Sequence, residues 1–172
     1  MNSKTIVSFI IMFLFLGGLI WWSKTQSPNV EEAQAAKFHP AKIGAGLTAE
    51  ETFYDFGTIS MKNGNVSKKF RVANSSGADI TLSKVTTSCM CTVAYILRED
   101  ATRKGPYGMP GHGGFVPKAN EIIKAGESRE IEVVYDPNAH GPAGVGLIER
   151  SVYLQDESGK VTELNFKVNV TP

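Results

Sequence analysis

The chain has 172 residues, with 18 basic and 17 acidic side chains, 3 histidines and a formal net charge of +1. That length fits one ordinary domain plus an appendage rather than two full domains, and the near-neutral charge excludes a nucleic-acid binder working by bulk electrostatics. A hydrophobic content of 42% excludes a disordered chain, and two cysteines are too few for a disulfide-dense scaffold or a four-thiolate zinc site.

Residues 6–22 carry 17 positions without one charge, at the short end of what crosses a bilayer. Lys4 precedes the segment and Lys24 follows it, and Trp21-Trp22 suit the lipid–water boundary. We expect one N-terminal transmembrane helix over residues 1–22, a single pass through the cytoplasmic (inner) membrane. The C-terminal domain is then outside the cytoplasm, periplasmic or extracellular. Ala33-Gln34-Ala35 has the form of a signal-peptide cleavage site, but ten residues including Pro28, Glu31 and Glu32 separate it from Trp22. Cleavage regions are shorter, so the reading is an uncleaved anchor or uncleaved signal. No cysteine lies near the segment to take a lipid.

Residues 23–47 read as a stalk. Ser27-Pro28 can start a short helix, but Pro40 and Gly44-Ala45-Gly46 break regularity, and a solvated tether is the expectation.

From Thr48 the hydrophobic period is two. Val66, Phe70 and Val72 alternate with Ser67, Lys69 and Arg71, and Lys68 interrupts the row, which places that end at a sheet edge. Ile80 and Leu82, then Ile131, Val133 and Tyr135, form further rows. Ile148, Val152 and Leu154 form another, interrupted by Arg150; Leu164, Phe166, Val168 and Val170 complete the set. Such alternation marks half-buried antiparallel strands. Turn chemistry separates them: Asn63-Gly64 as a tight hairpin, Asn74-Ser75-Ser76-Gly77, Ala125-Gly126, Asp136-Pro137-Asn138 and Ser158-Gly159. The pattern predicts an all-β fold over 48–172, an antiparallel β-sandwich of about seven strands. Residues 98–120, with five glycines and three prolines, are expected as a long inserted loop.

Phe53-Tyr54-Asp55-Phe56-Gly57-Thr58-Ile59 resembles the F-D-F-G-x-I opening of a bacterial family of uncharacterised exported domains. Val72-Ala73-Asn74-Ser75-Ser76-Gly77 is similar to its strand ending in N-x-G, and Ser88-Cys89-Met90-Cys91-Thr92 to its S-C-G-C-T motif. Ala125-Gly126-Glu127-Ser128 through Val133-Val134-Tyr135-Asp136-Pro137 is similar to its next segment. The family is related to the domains of Hydin and abnormal-spindle proteins, so the resemblance implies an immunoglobulin-like sandwich and no activity. Met90 stands where that family has glycine, and the 98–120 stretch is longer than its usual connection.

Thr87, Cys89, Cys91, Val93, Tyr95 and Leu97 share one parity. On a single strand both thiols would face one side, which leaves three readings. They are buried small hydrophobes, a bridge strained by i, i+2 spacing unless the backbone bulges, or part of a soft-metal site. For the last, Cys89 and Cys91 with Met109 and His112 of the loop would suit copper(I). His39 falls in the stalk and His140 in a Pro/Gly turn.

No Gly-x-Ser-x-Gly, His-Glu-x-x-His or phosphate loop is present, and no enzyme is expected. The functional expectation is a membrane-anchored extracytoplasmic binding or scaffolding module, held to the membrane by its helix and meeting an envelope protein partner, with no nucleic acid. The alternative is an exported copper(I)-binding or thiol-redox protein using the Cys-x-Cys pair.

Overall fold

Without helices to cover them, alternating strands bury one face each when two sheets close on one another, and the computed structural model has that architecture. It describes residues 46–100, 102–111 and 116–172. The expected membrane segment, the stalk up to residue 45 and His112 lie outside the described residues. Ten strands follow in order: β1 (Leu47–Ala49), β2 (Phe53–Ser60), β3 (Val66–Asn74), β4 (Ile80–Thr87), β5 (Thr92–Leu97), β6 (Arg103–Tyr107), β7 (Glu121–Ile123), β8 (Ser128–Tyr135), β9 (Gly146–Asp156) and β10 (Val161–Thr171). One sheet runs β1-β3-β8-β5-β6 and the other β2-β10-β9-β4-β7. Among the described residues the helical pieces are single 3-10 turns at Met61–Asn63 and Gly141–Gly144, and no helix is long and apolar enough to cross a membrane.

The alternating rows form the core. Phe70, Val72, Ile131, Val133 and Tyr135 from the first sheet face Leu82, Val152, Leu154, Leu164, Phe166, Val168 and Val170 from the second, all buried. Tyr135 meets Phe166 edge-on at 5.5 Å across the layers. Lys68 does lie at an open stretch of β3, because β1 pairs only with Val72–Asn74. Its ammonium sits 4.3 Å from the centre of the Tyr54 ring and pairs with Glu51.

Three sequence expectations need correction. The strands number ten among the described residues rather than about seven, because β1 and β7 are only three residues each, too short to show a period, and β6 lies within the Gly/Pro-rich stretch. The sandwich is not wholly antiparallel, since β2 runs parallel to β10. Asn63-Gly64 is not a hairpin turn, for β2 and β3 lie in different sheets. Ser60 instead caps a 3-10 turn by accepting from the Lys62 amide at 3.2 Å, and Gly64 at φ +74° releases the chain to the other layer.

The Gly/Pro-rich stretch also differs from the expected loop. Residues 103–107 form β6, an edge strand on β5 in which Ala94 faces Tyr107. An edge tolerates Pro106 because one side of its backbone has no ladder to fill. Gly105, at φ +133°, leaves no room for a side chain, since a Cβ would stand 3.0 Å from the Ala94 carbonyl oxygen. Tyr107 ends the strand 1% exposed, inside the core.

Candidate metal centre at the end of the sandwich

β4 belongs to one sheet and β5 to the other, so the chain must cross between layers, and residues 88–91 make that crossing. The cysteines therefore do not share one extended strand. The Thr92 amide donates to the Cys89 carbonyl at 3.2 Å and closes a tight turn. The Thr87 hydroxyl lies 3.0 Å from both the Cys89 and Thr92 carbonyl oxygens and fastens the base. The turn is held on both sides: the Asp136 amide donates to the Cys91 carbonyl at 2.9 Å, and Ser88 exchanges hydrogen bonds with the Ser151 backbone, each 2.9 Å.

Folding the strand into a turn changes where the side chains go. Met90, at the tip, is 53% exposed, while Cys89 and Cys91 are 9% and 3% exposed and both are free thiols. The Cys91 amide points at the Cys89 sulfur, 3.4 Å away. Two further elements bring nitrogen groups to the sulfurs. After β8 the Asn138 amide donates to Asp136 Oδ1 at 2.8 Å, an Asx turn that carries the chain round to His140. There His140 Nε2 stands 3.1 Å from Cys89 Sγ. From β9, Arg150 Nε donates to Cys91 Sγ at 3.4 Å.

The ligand atoms of Cys89, Cys91 and His140 all lie within 4.8 Å of one another. Burial pushes the Cys89 thiol up, but hydrogen bonds from Cys91, His140 and the Cys91 amide, with the Arg150 charge, bring it down to about 7. Burial and the neighbouring Cys89 hold Cys91 above the usual thiol range, against the pull of Arg150. Burial draws the Arg150 guanidinium down, and the two thiols more than reverse it, Cys91 foremost.

The donor set fits a soft cation. With metal–sulfur bonds of about 2.3 Å and metal–nitrogen bonds of about 2.0–2.1 Å, a sulfur and a nitrogen on one ion stand about 3.5 Å apart and two sulfurs about 4 Å apart. The 3.1 Å pair opens a little and the wider separations, none above 4.8 Å, close by at most about 1.3 Å, within reach of rotamer changes on a turn.

Of the four residues the sequence nominated, Cys89 and Cys91 stand together at the site. Met109 is half-buried, on the stretch whose Gly108 carbonyl accepts from the Thr87 amide at 3.3 Å, beside the base of the turn. His112 lies outside the described residues. The histidine that the structure does bring to the thiols is His140, which sequence reasoning set aside as a lone loop residue. Arg150 was visible only as the break in an apolar row.

The model of a family described as "Protein of unknown function (DUF1573)" matches residues 47–107. The match includes both cysteines and stops short of His140 and Arg150. No curated protein matches the chain. Among solved structures, a protein of unknown function from Porphyromonas gingivalis W83 is 15% identical with a TM-score of 0.53, over 72% of this chain and 46% of that one. The secreted serine protease VesC from Vibrio cholerae is 15% identical with a TM-score of 0.45, over 74% of this chain and 24% of that one. The periplasmic chaperone SfaE is 8% identical with a TM-score of 0.40, over 74% and 59%. The chain thus spans less than half the length of the first two, and the likeness to the Porphyromonas protein is one of fold.

Proposed function

We propose that the chain is an extracytoplasmic binding module, tethered to the cytoplasmic membrane by its N-terminal apolar segment, whose working end binds copper(I) through Cys89, Cys91 and His140. The finer reading of the fold is an immunoglobulin-like sandwich of the Hydin and abnormal-spindle kind, supported by the F-Y-D-F-G and N-S-S-G motifs. One observation carries the function: three soft or borderline donors from two separate segments converge within 4.8 Å. Two thiolates and an imidazole are the donors copper(I) prefers, and it accepts three-coordination. The Cys89–His140 pair alone has the spacing of a thiol nucleophile and its base. In hydrolysis by such a pair the second thiol has no part, whereas in a metal site it doubles the soft donors; binding, not hydrolysis, is the reading it favours.

A second, compatible reading is an envelope protein partner that meets the same end. Met90, Val145 and Leu147, on the segments flanking the thiol turn and His140, are 53%, 42% and 67% exposed. Isolated exposed apolar residues are ordinary, but three on the two segments that carry the ligands favour a docking surface there.

The test is anaerobic titration of the detergent-solubilised full chain with copper(I) against a chromophoric chelator. One equivalent is expected to be held, and to be lost when Cys89→Ser and Cys91→Ser are combined. A wild-type chain that retains no copper, or a double variant that retains it, overturns the proposal.

A further inference from the structure

Arg150 occupies an inward position of β9, in line with Ile148, Val152 and Leu154, and its partner across the ladder is the buried Phe166. A half-buried guanidinium in such a row is normally matched by a carboxylate. Among the described residues no Asp or Glu oxygen lies within 4.0 Å of it. Its hydrogen-bond partners are the Cys91 sulfur at 3.4 Å and the Glu149 carbonyl at 2.7 Å. The opposite end of the sandwich shows the contrast: Arg98, Lys104 and Arg129 all converge there on one buried carboxylate, Glu121. At the thiol end the fixed positive charge is matched by sulfur alone.

We infer that Arg150 is the residue that sets charge selectivity at the thiol cluster, making it a site for a monovalent soft cation and against a divalent one. The inference rests on the copper reading above. Binding a metal removes the protons of both thiols. Two thiolates, a guanidinium, a neutral imidazole and a monovalent cation are together neutral. A divalent cation in the same place leaves one positive charge uncompensated in a half-buried setting. The guanidinium repels a divalent ion twice as strongly as a monovalent one at equal distance. Arg150 also favours thiolate formation, but that benefit is the same for either ion and cancels in the ratio of their affinities.

The experiment measures copper(I) and zinc(II) affinities of the detergent-solubilised full chain by chelator competition, for wild type, Arg150→Met and Arg150→Lys. Arg150→Met is expected to move the copper-to-zinc affinity ratio toward zinc by about tenfold or more, while Arg150→Lys, which keeps the charge, stays within about threefold of wild type. Arg150→Gln supplies the same comparison if the Met variant does not fold. A ratio unmoved in the neutral variants, with copper still bound by wild type, overturns this inference and leaves the copper reading standing. A wild-type chain that takes no copper(I) overturns both.

Discussion

His140 Nε2 and Cys89 Sγ stand 3.1 Å apart although 51 residues separate them in the chain. Cys89 is the more acidic thiol of the pair: against the upward push of burial, hydrogen bonds from Cys91 and then from His140 bring it from an ordinary 9.0 down to about 7. The thiolate is the reactive form, so alkylation at Cys89 should rise with pH through a midpoint near 7. Removing the imidazole takes away one of the hydrogen bonds that hold the thiolate. His140→Ala should move the midpoint upward and slow alkylation at neutral pH by roughly fivefold if the shift is about one unit. Rates from iodoacetamide labelling, with the modified cysteine located by mass spectrometry, check this. An unchanged midpoint in the variant would mean that the ring does not act on the sulfur.

At the other end of the sandwich Glu121 is 2% exposed and tied to Arg98 at 2.6 Å, Arg129 at 3.1 Å and Lys104 at 3.3 Å. It links β7 of one sheet to β6 and β8 of the other. Burial pushes its carboxyl up, but the three cations, Arg98 foremost, hold it down to about 2 from an ordinary 4.5. A depressed carboxyl stabilises the fold fully above its unfolded value and loses that contribution as pH falls through its folded value. The loss therefore runs between about pH 4.5 and about 2. Glu121→Gln leaves three cations around a neutral group and should cost on the order of 3–5 kcal/mol at neutral pH. The variant should also lose less stability than wild type between pH 7 and pH 3. Urea midpoints at the two pH values measure both effects.

How much of this was legible in the sequence depended on whether the signal was periodic. Leu164, Phe166, Val168 and Val170 show their burial because a long strand repeats its pattern, and the Ser158-Gly159 turn closes the β9–β10 hairpin, with the Gly159 amide donating to Asp156 at 3.1 Å. The thiol site shows no such pattern. Counting parity through residues 87–97 assumed an unbroken strand, and the chain instead turns between layers at the cysteines. His140 reaches Cys89 only through the β8 exit, a contact between distant segments that no local spacing encodes. Arg150 did leave a trace, a cation on an apolar parity, which is a buried charge in want of a partner. The resemblance motifs are largely structural. Asp55 accepts from the Gly57 amide at 2.8 Å, Gly57 sits at φ +68°, and β2 bulges there against β10.

Asn74 shows what such a motif residue contributes. It is 1% exposed, and its amide nitrogen donates to the Ala78 and Ile123 carbonyls at 2.8 Å each. Its side-chain oxygen accepts from the Ser76 amide at 3.0 Å and the Ser76 hydroxyl at 2.6 Å. One side chain thus shapes the turn after β3 and fastens it to β7. Asn74→Ala leaves the buried Ile123 carbonyl without that donor, and should cost about 2–3 kcal/mol. Asn74→Asp should be no better, because a carboxylate has no donor to offer. Chemical denaturation of the two variants should give similar losses, and a neutral Asp variant would show that the donor contacts contribute little.

The Gly/Pro-rich stretch gives the last test, because its composition argues for a dispensable loop and its strand argues otherwise. Within residues 103–116 lies β6, which brings Tyr107 into the core at 1% exposure and covers the edge of β5. Deleting 103–116 removes that ring and bares β5, so cooperative unfolding should be lost or its midpoint sharply lowered. Tyr107→Ala keeps the chain length and isolates the ring; large-to-small changes of this size in a packed core cost about 3–5 kcal/mol. The outward side of the same strand provides the control. Arg103 stacks 3.4 Å from the centre of the Tyr95 ring and pairs with Glu132 at 3.0 Å while remaining 48% exposed. Arg103→Ala should cost no more than about 1 kcal/mol. A deletion that unfolds as cooperatively as wild type, or a Tyr107→Ala loss no larger than that of Arg103→Ala, would place the stretch outside the core after all.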